Sequence, residues 1–124
     1  MSYQWSIQHT PAAATKATIT RAAVAGRRHI CESMTVSIAA LTTVQTPVQV
    51  VLRDGATGAG PILWSAKLAA SANGCAVIAL TNLGIIGSVN TDMTLEFAAA
   101  GVTGSEEAVS MSGTDFHVSV PAIS

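Results

Sequence analysis

Residues 47 to 69, PVQVVLRDGATGAGPILWSAKLA, leave the chain little choice but to reverse on itself. Val48, Val50 and Leu52 alternate with Gln49, Val51 and Arg53. Farther on, Ile62, Trp64, Ala66 and Leu68 alternate with Leu63, Ser65, Lys67 and Ala69. A period of two is the repeat of a half-buried strand. Between the arms, Asp54 and Gly55 followed by Gly58, Gly60 and Pro61 supply turn geometry and positive φ without a steric penalty. With the apolar faces of both arms pointing the same way, the hairpin forms one side of a core that the remaining strands must cover.

The rest of the chain repeats the pattern. Residues 16 to 23 alternate Ala17, Ile19 and Arg21 against Thr18 and Thr20. From Arg28 to Leu41, Met34, Val36, Ile38 and Ala40 face one way, in a long strand bent near Glu32. The β-branched residues through Val44 argue against a helix there. Asn73-Gly74 is a strong hairpin signal. It leads into Cys75 to Thr81, whose nearly unbroken apolar run predicts a strand covered on both sides. Met93, Leu95 and Phe97 alternate with Asp92, Thr94 and Glu96. Glu106 to Met111 and Asp115 to Val120 read as two final strands separated near Gly113, with Pro121 ending the pairing. Seven or eight short strands without a convincing helix predict an all-β chain, a single antiparallel β-sandwich or barrel, with jelly-roll and immunoglobulin-like topologies both open.

Residues 1–15 lack a sustained period and read as an extended N-terminal arm, leaving 16–124 as the β-sandwich domain. Within the arm Tyr3, Trp5 and Ile7 alternate. Three apolar side chains ahead of Pro11 need somewhere to bury, which predicts intermolecular contacts for them. A first edge strand folded back on its own subunit is the alternative.

Length and composition narrow the function. A chain of 124 residues is the size of one domain. Apolar residues make up 49%, while only 10% are charged and 4% aromatic, against about 25% charged in typical domains. Such a chain must either wear a neutral, hydroxyl-rich surface or hide its exterior against neighbouring subunits. On the same physical ground we expect exposed apolar residues on strand faces, among them Ala39, Val51, Leu63 and Ala98, and a homo-oligomer, with a trimer favoured. A net charge of −1 without clustered Lys and Arg speaks against nucleic acid or an anionic membrane as partner. The amino terminus lacks the order of a secretory leader and no apolar run suits a membrane span, so synthesis in the cytosol is expected. Cys31 and Cys75 sit in strand-like apolar settings and read as free buried thiols.

Motifs that carry chemistry are not evident. His9, His29 and His117 lack the spacing of metal ligands, and Glu106 and Glu107, adjacent in a strand, point to opposite faces and read as a polar edge. No serine sits in a nucleophile elbow. The GATGAG loop joins two strands and lacks the lysine and hydroxyl ending of a phosphate loop. These readings predict no catalytic residue, no metal, no cofactor and no enzyme.

VVLRDGATGAGPILWSAKLA, followed by a strand, an Ile-Ile-Gly turn and the DMTLEFAAA strand, resembles a family of small all-β structural proteins of tailed bacteriophages, the head decoration or cement proteins. The likeness covers roughly residues 16 to 118. It implies a virion protein on the capsid surface, binding the major capsid protein as a homo-oligomer, and names no catalytic residue. A carbohydrate- or receptor-binding module of a phage tail or head fibre is the alternative, which would need Trp5 and Trp64 as an exposed platform.

Overall fold

The computed structural model describes residues 2–12, 15–40, 45–99 and 105–117. Among the described residues nine strands form: β1 (Ser2–His9), β2 (Thr18–Arg21), β3 (Arg27–Ala39), β4 (Gln45–Asp54), β5 (Ile62–Ala70), β6 (Cys75–Leu80), β7 (Ile85–Ile86), β8 (Met93–Phe97) and β9 (Glu106–His117). One sheet has the order β1-β9-β3-β6, with β7 continuing alongside β3, and the other has the order β2-β8-β4-β5. Every pairing is antiparallel.

This order is what results when a long hairpin is folded over. The pairs β1/β9, β2/β8, β3/β6 and β4/β5 nest inside one another, and successive pairs fall alternately in the two sheets. That is the jelly-roll arrangement. The sheets stay open as a sandwich and do not close into a barrel, which decides between the topologies the sequence leaves open.

The core lies between the sheets. Met34, Val36, Ile38, Val109 and Met111 face Val50, Leu52, Met93, Leu95 and Phe97, all buried. With so few aromatics the filling is done by β-branched residues and flexible methionines, the latter suited to irregular gaps. Each fully buried large apolar side chain is worth about 1.5–3 kcal/mol over exposure.

Several expectations change in three dimensions. The N-terminal residues do not form a free arm: Ser2–His9 pairs along its whole length with β9, because Trp5 and Ile7 find their burial on the chain's own core. The side chain of Tyr3 lies outside the described residues. Strand β6 is an edge and is not covered on both sides, so its outer residues Cys75, Val77 and Ala79 are exposed. The two last strands are one, with Gly113 inside it; residues 118–120 lie outside the described set. Val51 is buried at 1% exposure and is not a free apolar patch.

The bend expected near Glu32 is a β-bulge, where the β3–β9 register shifts between Cys31 and Ser33. Opposite it Gly113 meets Cys31 and Trp5 in register. A Cβ at Gly113 would run into the Ile30 carbonyl and the Trp5 ring, so β9 can pass unbroken between β1 and β3 only as glycine here. Gly113→Ala should therefore lower stability by about 1–3 kcal/mol or more, read as a fall in the urea midpoint. Gly84→Ala, with open space around the position, should leave the midpoint within error.

Candidate functional site

The ion pairs among the described residues form two networks, and both tie parts of the fold together. At one end of the sandwich, Asp115 on β9 points inward and is fully buried, as is its register partner His29 on β3. His29 Nδ1 lies 2.6 Å from Asp115 Oδ1, and Arg21 Nη2 donates to Asp115 Oδ2 at 2.5 Å. Since Arg21 belongs to β2, the carboxylate bridges the two sheets. The second imidazole nitrogen, Nε2, faces the Ala22 carbonyl at 2.9 Å. Trp5 packs edge-on against the imidazole with centroids 6.1 Å apart, and the Arg21 guanidinium sits 5.6 Å from the Trp5 ring centroid, a cation–π contact. Burial works to raise the Asp115 carboxyl, but Arg21 and His29 outweigh it and hold it below the ordinary aspartate value.

The second network covers the outer face of the β2-β8-β4-β5 sheet. Glu96 on β8 points away from the core yet is 1% exposed. Lys16 Nζ lies 2.9 Å from Oε1, while Oε2 accepts from Arg53 Nε at 3.2 Å and from the Gly58 amide at 2.9 Å. Gly58 adopts φ +72°, a conformation glycine takes freely. Beside it Thr94 Oγ1 donates to the Gly55 carbonyl at 2.8 Å. The GATGAG loop thus folds back over its own sheet and offers its amide to a protein carboxylate. Burial again works to raise Glu96, and the Gly58 amide, Lys16 and Arg53 prevail and lower it.

Glu107 sits between the sheets at 2% exposure, while Glu106 is exposed. The opposite faces are as the sequence predicts, but the polar edge is half wrong because Glu107 turns into the core. There it accepts from the Ala17 amide at 2.9 Å, and burial pushes its carboxyl up, more than that hydrogen bond and the nearby Lys16 charge lower it. Strand alternation gives the direction of Glu107 from sequence; nothing in the spacing signals that Ala17 caps it.

Of the cysteines, both free, Cys31 is buried and its thiol is pushed up to about 11, chiefly by burial and also by the Glu32 charge against a Ser33 backbone contact that lowers it. A thiol held that high is a poor nucleophile. Cys75 is exposed, against expectation. Trp64 packs partly buried against the core and Trp5 is 8% exposed. Among the described residues no cluster of His, Cys, Asp and Glu is placed to hold a metal ion.

What the opposite outer face presents is different in kind. On the β1-β9-β3-β6 sheet Gln4, Ser6 and Gln8 stand beside Thr114, Ser112 and Ser110, and these beside Ile30, Ser33 and Thr35. Ser33 and Ser112 share a hydrogen bond at 2.5 Å. Shallow depressions of about 410 and 600 Å³ flank the bulge, both lined by the exposed Glu32, which accepts from Thr114 Oγ1 at 3.4 Å, together with Ser6, Ser112 and Asn82. The apolar margin of this face is Val77 at 57% and Ile86 at 53% exposure.

No protein-family model and no curated protein matches the sequence. Among solved structures, the tobacco streak virus coat protein is similar over 98% of this chain and 91% of that one, at 8% identity and a TM-score of 0.38. A chain of the Bacillus endospore appendages, which form a novel family of disulfide-linked pili, is similar over 96% and 88%, at 16% identity and a TM-score of 0.30. Likeness at this level carries neither protein's role to this chain.

The networks predict a pH profile. A carboxyl lowered in the folded state contributes stability that is complete above its unfolded value, about 4 for Asp and Glu, and is lost as pH falls through the folded value. Asp115→Asn should cost about 3 kcal/mol at pH 7 by unpairing the buried dyad and should flatten the loss of stability below about pH 4. Glu107 has the opposite sign: its raised folded value means stability declines as pH rises through it. Glu107→Gln should leave stability at pH 7 unchanged or raised. Chemical denaturation between about pH 3 and 8 checks both.

Proposed function

We propose that the chain is a structural subunit of a particle: a decoration or cement protein on the head of a tailed bacteriophage, acting as a homo-oligomer, with a trimer favoured, and binding the major capsid protein. One observation carries this reading. Lys16, Arg21, His29, Arg53, Glu96 and Asp115 are all engaged in joining sheet to sheet or loop to sheet, and the broad outer face of the β1-β9-β3-β6 sheet is built mainly of neutral hydroxyl and amide groups, with Arg28, Glu32 and Glu106 as its charged residues. A neutral face requires little desolvation of charge when it meets a neighbour. The resemblance of the hairpin and the strands after it supplies the particular assembly.

The buried dyad supports a structural role over a catalytic one. In a nucleophilic enzyme the imidazole orients its second nitrogen toward a hydroxyl or thiol, whereas His29 turns it to the Ala22 backbone. The carbohydrate-binding alternative gains nothing from Trp5 and Trp64, since both rings are turned toward the core. For Trp5 and Ile7, whose side chains pack on the core, an interface role passes to the backbone of the strand that they and Tyr3 build, which forms one border of its sheet.

Empty heads of the phage that encodes this chain should bind it to saturation and should then resist heat at a higher temperature than bare heads. Failure to co-sediment with such heads at micromolar concentration would sink the decoration reading.

A further inference from the structure

The four strands that border the two sheets are unequally protected against pairing with another chain. In the β2-β8-β4-β5 sheet, β2 has four residues and ends in Arg21, and β5 carries Lys67, follows Pro61 and pairs through a register shift. Short length, charge, proline and irregularity are the devices that keep an edge from recruiting a partner. The other sheet has none of them on its long edges. β1 reads SYQWSIQH, eight residues in unbroken register with β9. β6 reads CAVIAL, six residues in unbroken register with β3. Neither contains Lys, Arg, Asp, Glu or Pro.

We propose that these two edges pair with each other between copies: β1 of one subunit adds antiparallel to β6 of the next, continuing the sheet from chain to chain. This rests on the assembly reading above and names its subunit contact. The occupant is a second copy because the two edges match. Within the sheet β1 runs opposite to β6, so a neighbour in the same orientation brings β6 beside β1 in the antiparallel sense. In the register that overlaps all six residues of β6 and sets outer side chains beside outer ones, Gln8 stands opposite Cys75, Ser6 opposite Val77 and Gln4 opposite Ala79. The contact extends the hydroxyl and amide rows of the outer face and covers Val77, which is 57% exposed in the single chain. A β1–β1 pairing would leave β6 open on every dimer. Head-to-tail pairing satisfies both edges and closes into a ring when the rotation per subunit allows.

Cys75 makes the contact readable, since its thiol is free and exposed. Under mild oxidation Gln8→Cys should form covalent dimers and higher multimers on a non-reducing gel, reversed by reductant. The double variant Gln8→Cys with Cys75→Ser should not, and Lys67→Cys on the protected β5 edge should not either. Ser6→Cys is the second reporter, for a pairing displaced by two residues. Both reporter positions are exposed, and retained cooperative unfolding confirms that the variants fold. Absence of multimers from both reporters would overturn the proposal. So would equal cross-linking in the Cys75→Ser background, which would mean β1–β1 pairing, or equal cross-linking from Lys67→Cys, which would mean collision. A chain that fails to cross-link yet still binds heads refutes the edge contact and leaves the proposed function standing.

Discussion

A carboxylate with no access to water holds one end of this sandwich together. Asp115 would be a liability if it stood alone, because burying an unpaired charge costs several kcal/mol. It has two partners drawn from different strands, His29 beside it in the same sheet and Arg21 across from the other. Trp5 closes over the group from β1. The clamp thus fixes the spacing of the sheets and the position of the first strand at once. That is why the N-terminal residues, whose composition suggests an arm, belong to the sheet.

The second carboxylate, Glu96, works on the outside of the opposite sheet and secures a loop there. Glycine-rich loops bind anions through backbone amides, and this one does so with an anion from its own chain. The consequence is an asymmetry between the two outer faces. One is closed by the loop and carries Lys16, Arg53 and Lys67 on or near it; the other is open and mostly hydroxyl and amide, its charges being Arg28, Glu32 and Glu106 on the central strands β3 and β9. Two carboxylates are thus held where the fold needs them, and the two strands that border the open face, β1 and β6, carry no Lys, Arg, Asp or Glu.

Much of the architecture can be read from the residues. The hairpin at Asp54 to Pro61, the bent strand at Glu32 and the Asn73-Gly74 turn all follow from period two and turn chemistry, and all are present. What alternation cannot give is the layer outside a strand. Val51 and Glu96 occupy outward positions and are nonetheless buried; for Glu96 the reason is that the Gly58 loop and Lys16 return over it from a distance in sequence that local patterning does not register. Likewise CAVIAL is apolar on both faces, which suits a central strand, yet β6 borders its sheet. Gly113 suggests a break between strands, whereas its role is to let Trp5 and the Ile30 carbonyl approach an unbroken one. The clamp was illegible for the same reason: Arg21, His29 and Asp115 are separated by up to 94 residues, and only the nested strand order brings them together.

If the two carboxylate networks fasten the subunit and the β1 and β6 edges, free of Lys, Arg, Asp and Glu, are left to meet copies of it, the purified protein must assemble. Sedimentation equilibrium of the purified protein at micromolar concentration and moderate salt tests it most directly. The account predicts a discrete assembly of several chains whose mass changes little with ionic strength, since the contact is backbone pairing and neutral side chains. A protein that sediments as a monomer across that range would contradict it.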